Sequence, residues 1–147
     1  MAYFEWADDM VIDGGPIDQD HRHLVDLVNE LHTATSHGTG RSVVASILSR
    51  TIESTREHLV REEELMARMA FPDLEAHKQV HAAFMEKLLQ LQRRLDDGSI
   101  TVASQLSEVL RDWLSLHIRR HDKEFQRLER RRQREQARKA SAARRAR

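Results

Sequence analysis

The sequence predicts an all-α protein: an up-down-up-down antiparallel four-helix bundle with an N-terminal arm and a basic C-terminal extension. Three observations carry that expectation. Gly and Pro are scarce, 5 and 2 of 147 residues, while 33% are charged; this balance suits long surface helices better than sheets. Four stretches repeat apolar residues three and four apart, the signature of one helix face. Turn signals divide the stretches, and short connections make neighbouring helices antiparallel.

Residues Met1 to Pro16 read as an irregular arm. Tyr3, Phe4, Trp6 and Met10 are too apolar for a free tail, so the arm should lie along the body. The first helix begins near Ile17, where Asp18 and Asp20 complement the N-terminal dipole. Its inward stripe is Ile17, His21, Leu24, Val28 and Leu31, and it should end near Gly38 to Gly40. The second helix spans about Arg41 to Met69, with Val44, Ile47, Leu48, Thr51, Thr55, His58, Glu62, Leu65 and Met69 inward. The third starts near Pro72 or Asp73, turns His77, His81, Phe84, Leu88, Leu91 and Leu95 inward, and ends at Asp96-Asp97-Gly98-Ser99. The fourth carries Val102, Leu106, Val109, Leu110, Trp113, Leu114, His117, Ile118, Phe125 and Leu128. No cap or break separates it from the tail. The expected division is a bundle over 1–128 and a basic tail over 129–147, helical or disordered.

There is no Cys, which excludes disulfides, zinc-thiolate sites and thiol catalysis. No apolar run approaches a membrane span, and the first residues do not form a signal peptide. A cytoplasmic protein is the expectation. The zero net charge hides an asymmetry: Arg127 to Arg147 holds ten Lys/Arg against two Asp/Glu, and the remainder fourteen against twenty-two. An acidic body of −8 therefore carries a tail of +8. Such tails often serve interactions. Nucleic acid, an anionic surface or an acidic partner would all suit it. The tail lacks aromatic residues for base stacking, so any nucleic-acid contact should be salt-sensitive and blind to sequence.

Nine His is a high count for this length. Each of the four stripes contains at least one. His58 and Glu62 are four apart, as are His77 and His81, so each pair shares a helix face. A Glu inside an apolar stripe is unfavourable unless its charge is compensated. A metal would do that, and imidazole with carboxylate and no thiolate suits iron, manganese or zinc. The Glu-x-x-His motif of ferritin-type sites does not occur here as paired ligands. At the end of the set, spacing favours His121, four after His117. Asp122, five after it, lies about 140° away on an α-helix. Electrostatics favours Asp122, because a second carboxylate offsets metal charge that neutral imidazoles cannot.

The full pattern resembles the hemerythrin family, in its single-domain bacterial form. The matching residues run from Ile17 to Leu24, then His58 with Glu62 to Met66, Phe71-Pro72, His77, His81 and Phe84. They end with Trp113 to Ile118, Asp122 and Phe125. The resemblance covers about Trp6 to Leu128. It implies two iron ions (Fe2+/Fe3+) joined by a bridging hydroxide or oxo group. His77, His81 and His117 would hold one, His21 and His58 the other, and Glu62 and Asp122 would bridge them. His121 is then a surface residue or a neighbour of the ligands. Leu114, Ile118 and Phe125 match residues lining the oxygen pocket. Leu59 after His58, Asp20 before His21 and the basic tail depart from the family pattern. His23, His32 and His37 read as surface residues, and Trp6 and Trp113 as packing anchors.

This set implies one six-coordinate iron and one five-coordinate iron, with the open position beside His21 and His58. Two ferrous ions, two carboxylates and a hydroxide sum to about +1. After O2 has taken two electrons and the hydroxide proton, the sum is again about +1. No extra charge enters a dry core. The expected function is reversible O2 binding for storage, delivery or sensing, without enzymatic turnover. The alternatives are a diiron oxidase or peroxidase, and an iron- or redox-responsive module acting through the tail.

Overall fold

The computed structural model describes residues 2–146 without 39 and 99, and without the side chains of 100, 101, 103, 104, 121, 122 and 125. Five helices follow an N-terminal arm that carries one short 3-10 turn: α1 (Pro16–Ser36), α2 (Arg41–Arg68), α3 (Leu74–Asp96), α4 (Ile100–His117) and α5 (Lys123–Arg145). A π-helical turn, Ile118–Asp122, joins α4 to α5 without a break. The first four helices close a ring in which α1 touches α2 and α4, and α3 touches α2 and α4.

The register confirms the up-down course. Leu31, Leu48, Leu88 and Leu106, one from each helix, are fully buried. They lie ten residues after His21, ten before His58, seven after His81 and eleven before His117, or roughly 10–17 Å along each axis. The bundle thus has an apolar half around these leucines and a polar half around the histidines.

The helix ends explain this arrangement. Asp13 accepts from the backbone N–H of Ile17 and Asp18 at 3.1 and 3.2 Å, satisfying donors that the first turn of α1 leaves open. Asp18, expected to act through the helix dipole, is instead buried and accepts from Ile12 and Gly14 N–H at 2.9 and 2.8 Å. The α2–α3 turn places Ala70 at φ 51° with Phe71 N–H bonded to Met66 carbonyl at 3.0 Å, a left-handed helix stop that normally takes Gly. Arg41 reaches the last carbonyls of α3, at 2.6 Å from that of Leu95, where a cation complements the dipole.

The arm lies along the body as expected: Phe4, Met10 and Ile12 are buried, and Asn29 holds both backbone groups of Phe4 at 2.7 and 2.8 Å. The arm also reaches the π-turn, where Arg119 Nε meets Asp9 at 2.9 Å and Lys123 donates to Val11 carbonyl at 3.0 Å. Gln126 donates to Ile12 carbonyl. One stripe differs from expectation: at the end of α2 Met66 is buried, whereas Leu65 and Met69 are half-buried. Leu65 instead borders a surface cleft beside His58.

Candidate metal centre

Glu62 is the centre of the polar half. Its carboxylate is 3% exposed and receives ligands from three helices. Oε2 lies 3.1 Å from His58 Nε2 and 3.2 Å from His117 Nε2, and Oε1 lies 3.4 Å from His81 Nε2. His21 joins from α1, its Nε2 3.0 Å from His58 Nε2. One donor atom each from His21, His58, Glu62 and His117 falls within a 4.8 Å cluster, and all four residues are buried. The His117 ring lies 5.4 Å from that of His81 and 5.9 and 5.8 Å from those of His21 and His58, so it stands between the two expected groups. His77 is peripheral, packed edge-on to Phe71 at 5.0 Å, with Nε2 4.0 Å from Glu124.

His21, His58, Glu62, His77, His81 and His117 follow helical periodicity; the backbone after His117 does not. An α-helix would turn position 122 away from 117, as the sequence arithmetic states. In the π-turn Ile118–Asp122 hydrogen bonds run from i to i+5, so residues five apart come into line. The π-turn thus narrows the angle between backbone positions 117 and 122 that an α-helix sets at about 140°. The side chains of His121, Asp122 and Phe125 lie outside the described residues.

The outer nitrogens of two rings meet carboxylates. His58 Nδ1 donates to Asp20 at 3.2 Å, and Asp20 is gripped by Arg61 Nε and Nη2 at 2.9 and 2.8 Å. His81 Nδ1 donates to Glu63 at 3.1 Å. A proton held on Nδ1 leaves the Nε2 lone pair facing Glu62, the arrangement common behind metal-binding imidazoles. Sequence reasoning gave Asp20 only a dipole role and gave Arg61 and Glu63 none. A signal existed: each carboxylate is the chain neighbour of a candidate ligand. A one-residue step turns a side chain about 100°, onto the flank facing the next helix.

The electrostatics suit a cation. Burial acts to raise the Glu62 carboxyl, but His117 foremost, with His58 and His81, holds it well below the ordinary range. Burial and the neighbouring His58 push His21 down to about 3, so its ring is neutral. His77 is lowered by burial and His81. For His81, burial is outweighed by Glu62 and Glu63, and its pKa is raised. Burial is likewise outweighed at Asp20, which His58 and Arg61 hold at about 2.

The donor set fits a metal. Two ligands at right angles on an ion about 2.1 Å away are roughly 3.0 Å apart, close to the separations among His21, His58 and Glu62. Imidazole and carboxylate without thiolate fit iron, manganese or zinc.

Two features flank the cluster. Trp113 stacks between Phe84 (3.6 Å, 6°) and His117 (4.6 Å, 11°), fixing the His117 ring. Next to it lies a small internal pocket lined by Leu24, Val28, Thr51, Thr55, Leu110, Trp113 and Leu114. Leu24, Thr55 and Leu114 are each three residues from His21, His58 and His117, one turn toward the apolar half. Thr51 and Thr55 hydroxyls donate to the carbonyls of Ile47 and Thr51 at 2.8 and 2.7 Å, so these polar groups are spent on the helix. Ile118 is fully buried beside His117. His23 and His37 are exposed, while half-buried His32 stacks on Tyr3 at 3.7 Å. Trp6 lies beneath the Arg22 guanidinium at 4.8 Å.

Residues 16–128 match the family model described as "Hemerythrin HHE cation binding domain". A bacteriohemerythrin of Stenotrophomonas maltophilia is 33% identical over 125 residues, 85% of this chain and 80% of that protein. One from Methylococcus capsulatus is 31% identical over 124 residues, 84% of this chain and 94% of that protein. The crystal structure of a wild-type hemerythrin superposes with a TM-score of 0.78 at 27% identity, covering 86% of this chain and 98% of that one.

Proposed function

This chain belongs to the hemerythrin family, and from that premise we propose that it binds O2 reversibly at a non-heme diiron centre, for storage, delivery or sensing. One observation carries the reading: imidazoles from four helices surround a single buried carboxylate, Glu62, beside a pocket walled by apolar groups. His77, His81 and His117 would hold one iron and His21 and His58 the other, with Glu62 and Asp122 as the carboxylates shared between them. When bound, the iron pair supplies reversible two-electron chemistry toward O2.

The chain's own residues do the rest. His58 and His81 keep their protons on Nδ1, against Asp20 and Glu63, and so present Nε2 to the metal in a fixed tautomer. Trp113 and Phe84 hold the His117 ring in place. Leu24, Val28, Leu110 and Leu114 exclude water, with Ile118 buried beside His117; Phe125 is proposed for the same role from the resemblance alone. The Thr51 and Thr55 hydroxyls, bonded to their own helix, donate no proton into the pocket. Excluding protons and water would favour reversible over irreversible oxidation of the site. A surface cleft lined by Ile17, Asp20, Arg61, Leu65 and Arg68 reaches His58 and Glu62 and supplies the way in.

The test is to load the chain with ferrous iron, admit O2, then remove it. A charge-transfer spectrum that appears and disappears with retention of ferrous iron is expected. Rapid irreversible oxidation with release of peroxide would overturn the carrier reading in favour of an oxidase.

A further inference from the structure

Helix α5 leaves the bundle after the π-turn, and every residue from Arg130 to Ala140 is exposed. At about 100° per residue, Arg127, Arg131, Arg134, Arg138 and Arg145 fall within one narrow stripe, with Arg130 at its edge. The stripe spans 19 residues, a rise of roughly 27 Å. Arg132 and Lys139 form a second, shorter row about a third of a turn away. The face opposite the main stripe carries Gln133, Gln136, Ala140 and Ala143. Glu129 and Glu135 are the acidic residues of this segment.

We propose that this stripe binds the phosphate backbone of duplex DNA without reading sequence. Arginine is the residue suited to paired hydrogen bonds with phosphate oxygens, and nine of the ten cations after Gln126 are Arg. A helix about 10–12 Å across fits the major groove of B-DNA, about 12 Å wide, whereas the major groove of duplex RNA is too narrow. Two basic rows on one helix can follow the two walls of a groove. An anionic membrane is a poorer match, since a helix lying on a bilayer needs a broad apolar face with large side chains. Beyond Leu128 the apolar residues of α5 are all Ala. Single strands are a poorer match too, for want of stacking aromatics. The acidic body, with a net charge of −8, repels DNA and confines contact to α5.

The experiment compares the full chain with Arg131→Gln/Arg134→Gln/Arg138→Gln and with the charge-preserving Lys set at the same positions, using fluorescence anisotropy on a labelled 20-base-pair duplex. Glutamine and lysine keep helix propensity, and circular dichroism checks the fold. Five phosphate contacts give a salt slope of about −4.5, hence roughly 500-fold weaker binding at 200 than at 50 mM salt; two contacts give about twelvefold. The parent and Lys set should show the steep dependence, the Gln set the shallow one, and a second duplex sequence the same affinity. Equal binding by the Gln set would overturn the proposal. So would tighter binding to duplex RNA or to phosphatidylserine vesicles than to DNA, or an α5-dependent dimer that binds no duplex.

Discussion

Removing Asp20 tests whether the carboxylates behind the histidines support the metal centre. Asp20→Ala takes away the acceptor 3.2 Å from His58 Nδ1 and the partner that Arg61 grips at 2.9 and 2.8 Å. The Arg61 side chain is 52% exposed, so losing that ion pair costs the fold no more than about 1 kcal/mol. The metal feels more. Partners behind ligating histidines are typically worth about 10–100-fold in metal affinity, or roughly 1.4–2.8 kcal/mol. Asp20→Asn keeps an acceptor but drops the charge. A charge-assisted hydrogen bond is about twice as strong as a neutral one, which places the Asn variant near half that loss, about 3–10-fold. Anaerobic competition for ferrous or cobaltous ion against a chromophoric chelator, with stoichiometry followed separately for two ions, reads this out. One ion, that of His21 and His58, should weaken in the order parent, Asn, Ala while the other holds. Two ions bound with parental affinity in Asp20→Ala would refute the reasoning, and equal losses for Asn and Ala would show the charge to be idle.

Three further outcomes follow. Stripping metal should lower the melting temperature of a loaded chain by about 10 °C, since an ion at a thousandfold excess over Kd contributes about 4 kcal/mol to a domain of this size; scanning calorimetry with and without chelator would expose a metal-indifferent fold. Leu114→Ala, at a side chain 2% exposed, should cost about 2–5 kcal/mol in urea unfolding and hasten oxidation of the O2-loaded protein by admitting water. An unchanged oxidation rate would remove Leu114 from the pocket's function. Ala70→Gly relieves the left-handed φ of 51° and should raise stability by about 0.5–1 kcal/mol; a loss in denaturant midpoint would contradict that account of the α2–α3 turn.

Most of the bundle was legible because one physical signal, apolar recurrence at three and four residues, serves both the core and the site. Leu31, Leu48, Leu88 and Leu106 stand on the same stripes as His21, His58, His81 and His117, so finding the core face found the histidines. The end of α2 escaped that logic. Leu65 and Met66 are equally apolar, and only the cleft beside α1 decides that Met66 turns inward and Leu65 borders the opening. Asp20, Arg61 and Glu63 escaped for a related reason. Their spacing marks them as flank residues, and flank residues gain a role only from what stands on the neighbouring helix.

The π-turn between α4 and α5 is what local arithmetic misses. On α-helical spacing His121 belongs with His117, and no residue type in Ile118-Arg119-Arg120-His121-Asp122 announces a π-turn. Such turns are rare within α-helices, and the arm packs against this one: Asp9 pairs with Arg119 inside the turn, and Val11 and Ile12 carbonyls receive Lys123 and Gln126 just after it. These contacts span more than a hundred residues of sequence. Phe4, Met10 and Ile12 are buried and anchor the brace, while Asp18 and Asn29 fix its backbone. An arm whose composition suggested packing alone thus meets the segment where helical phase shifts by one residue.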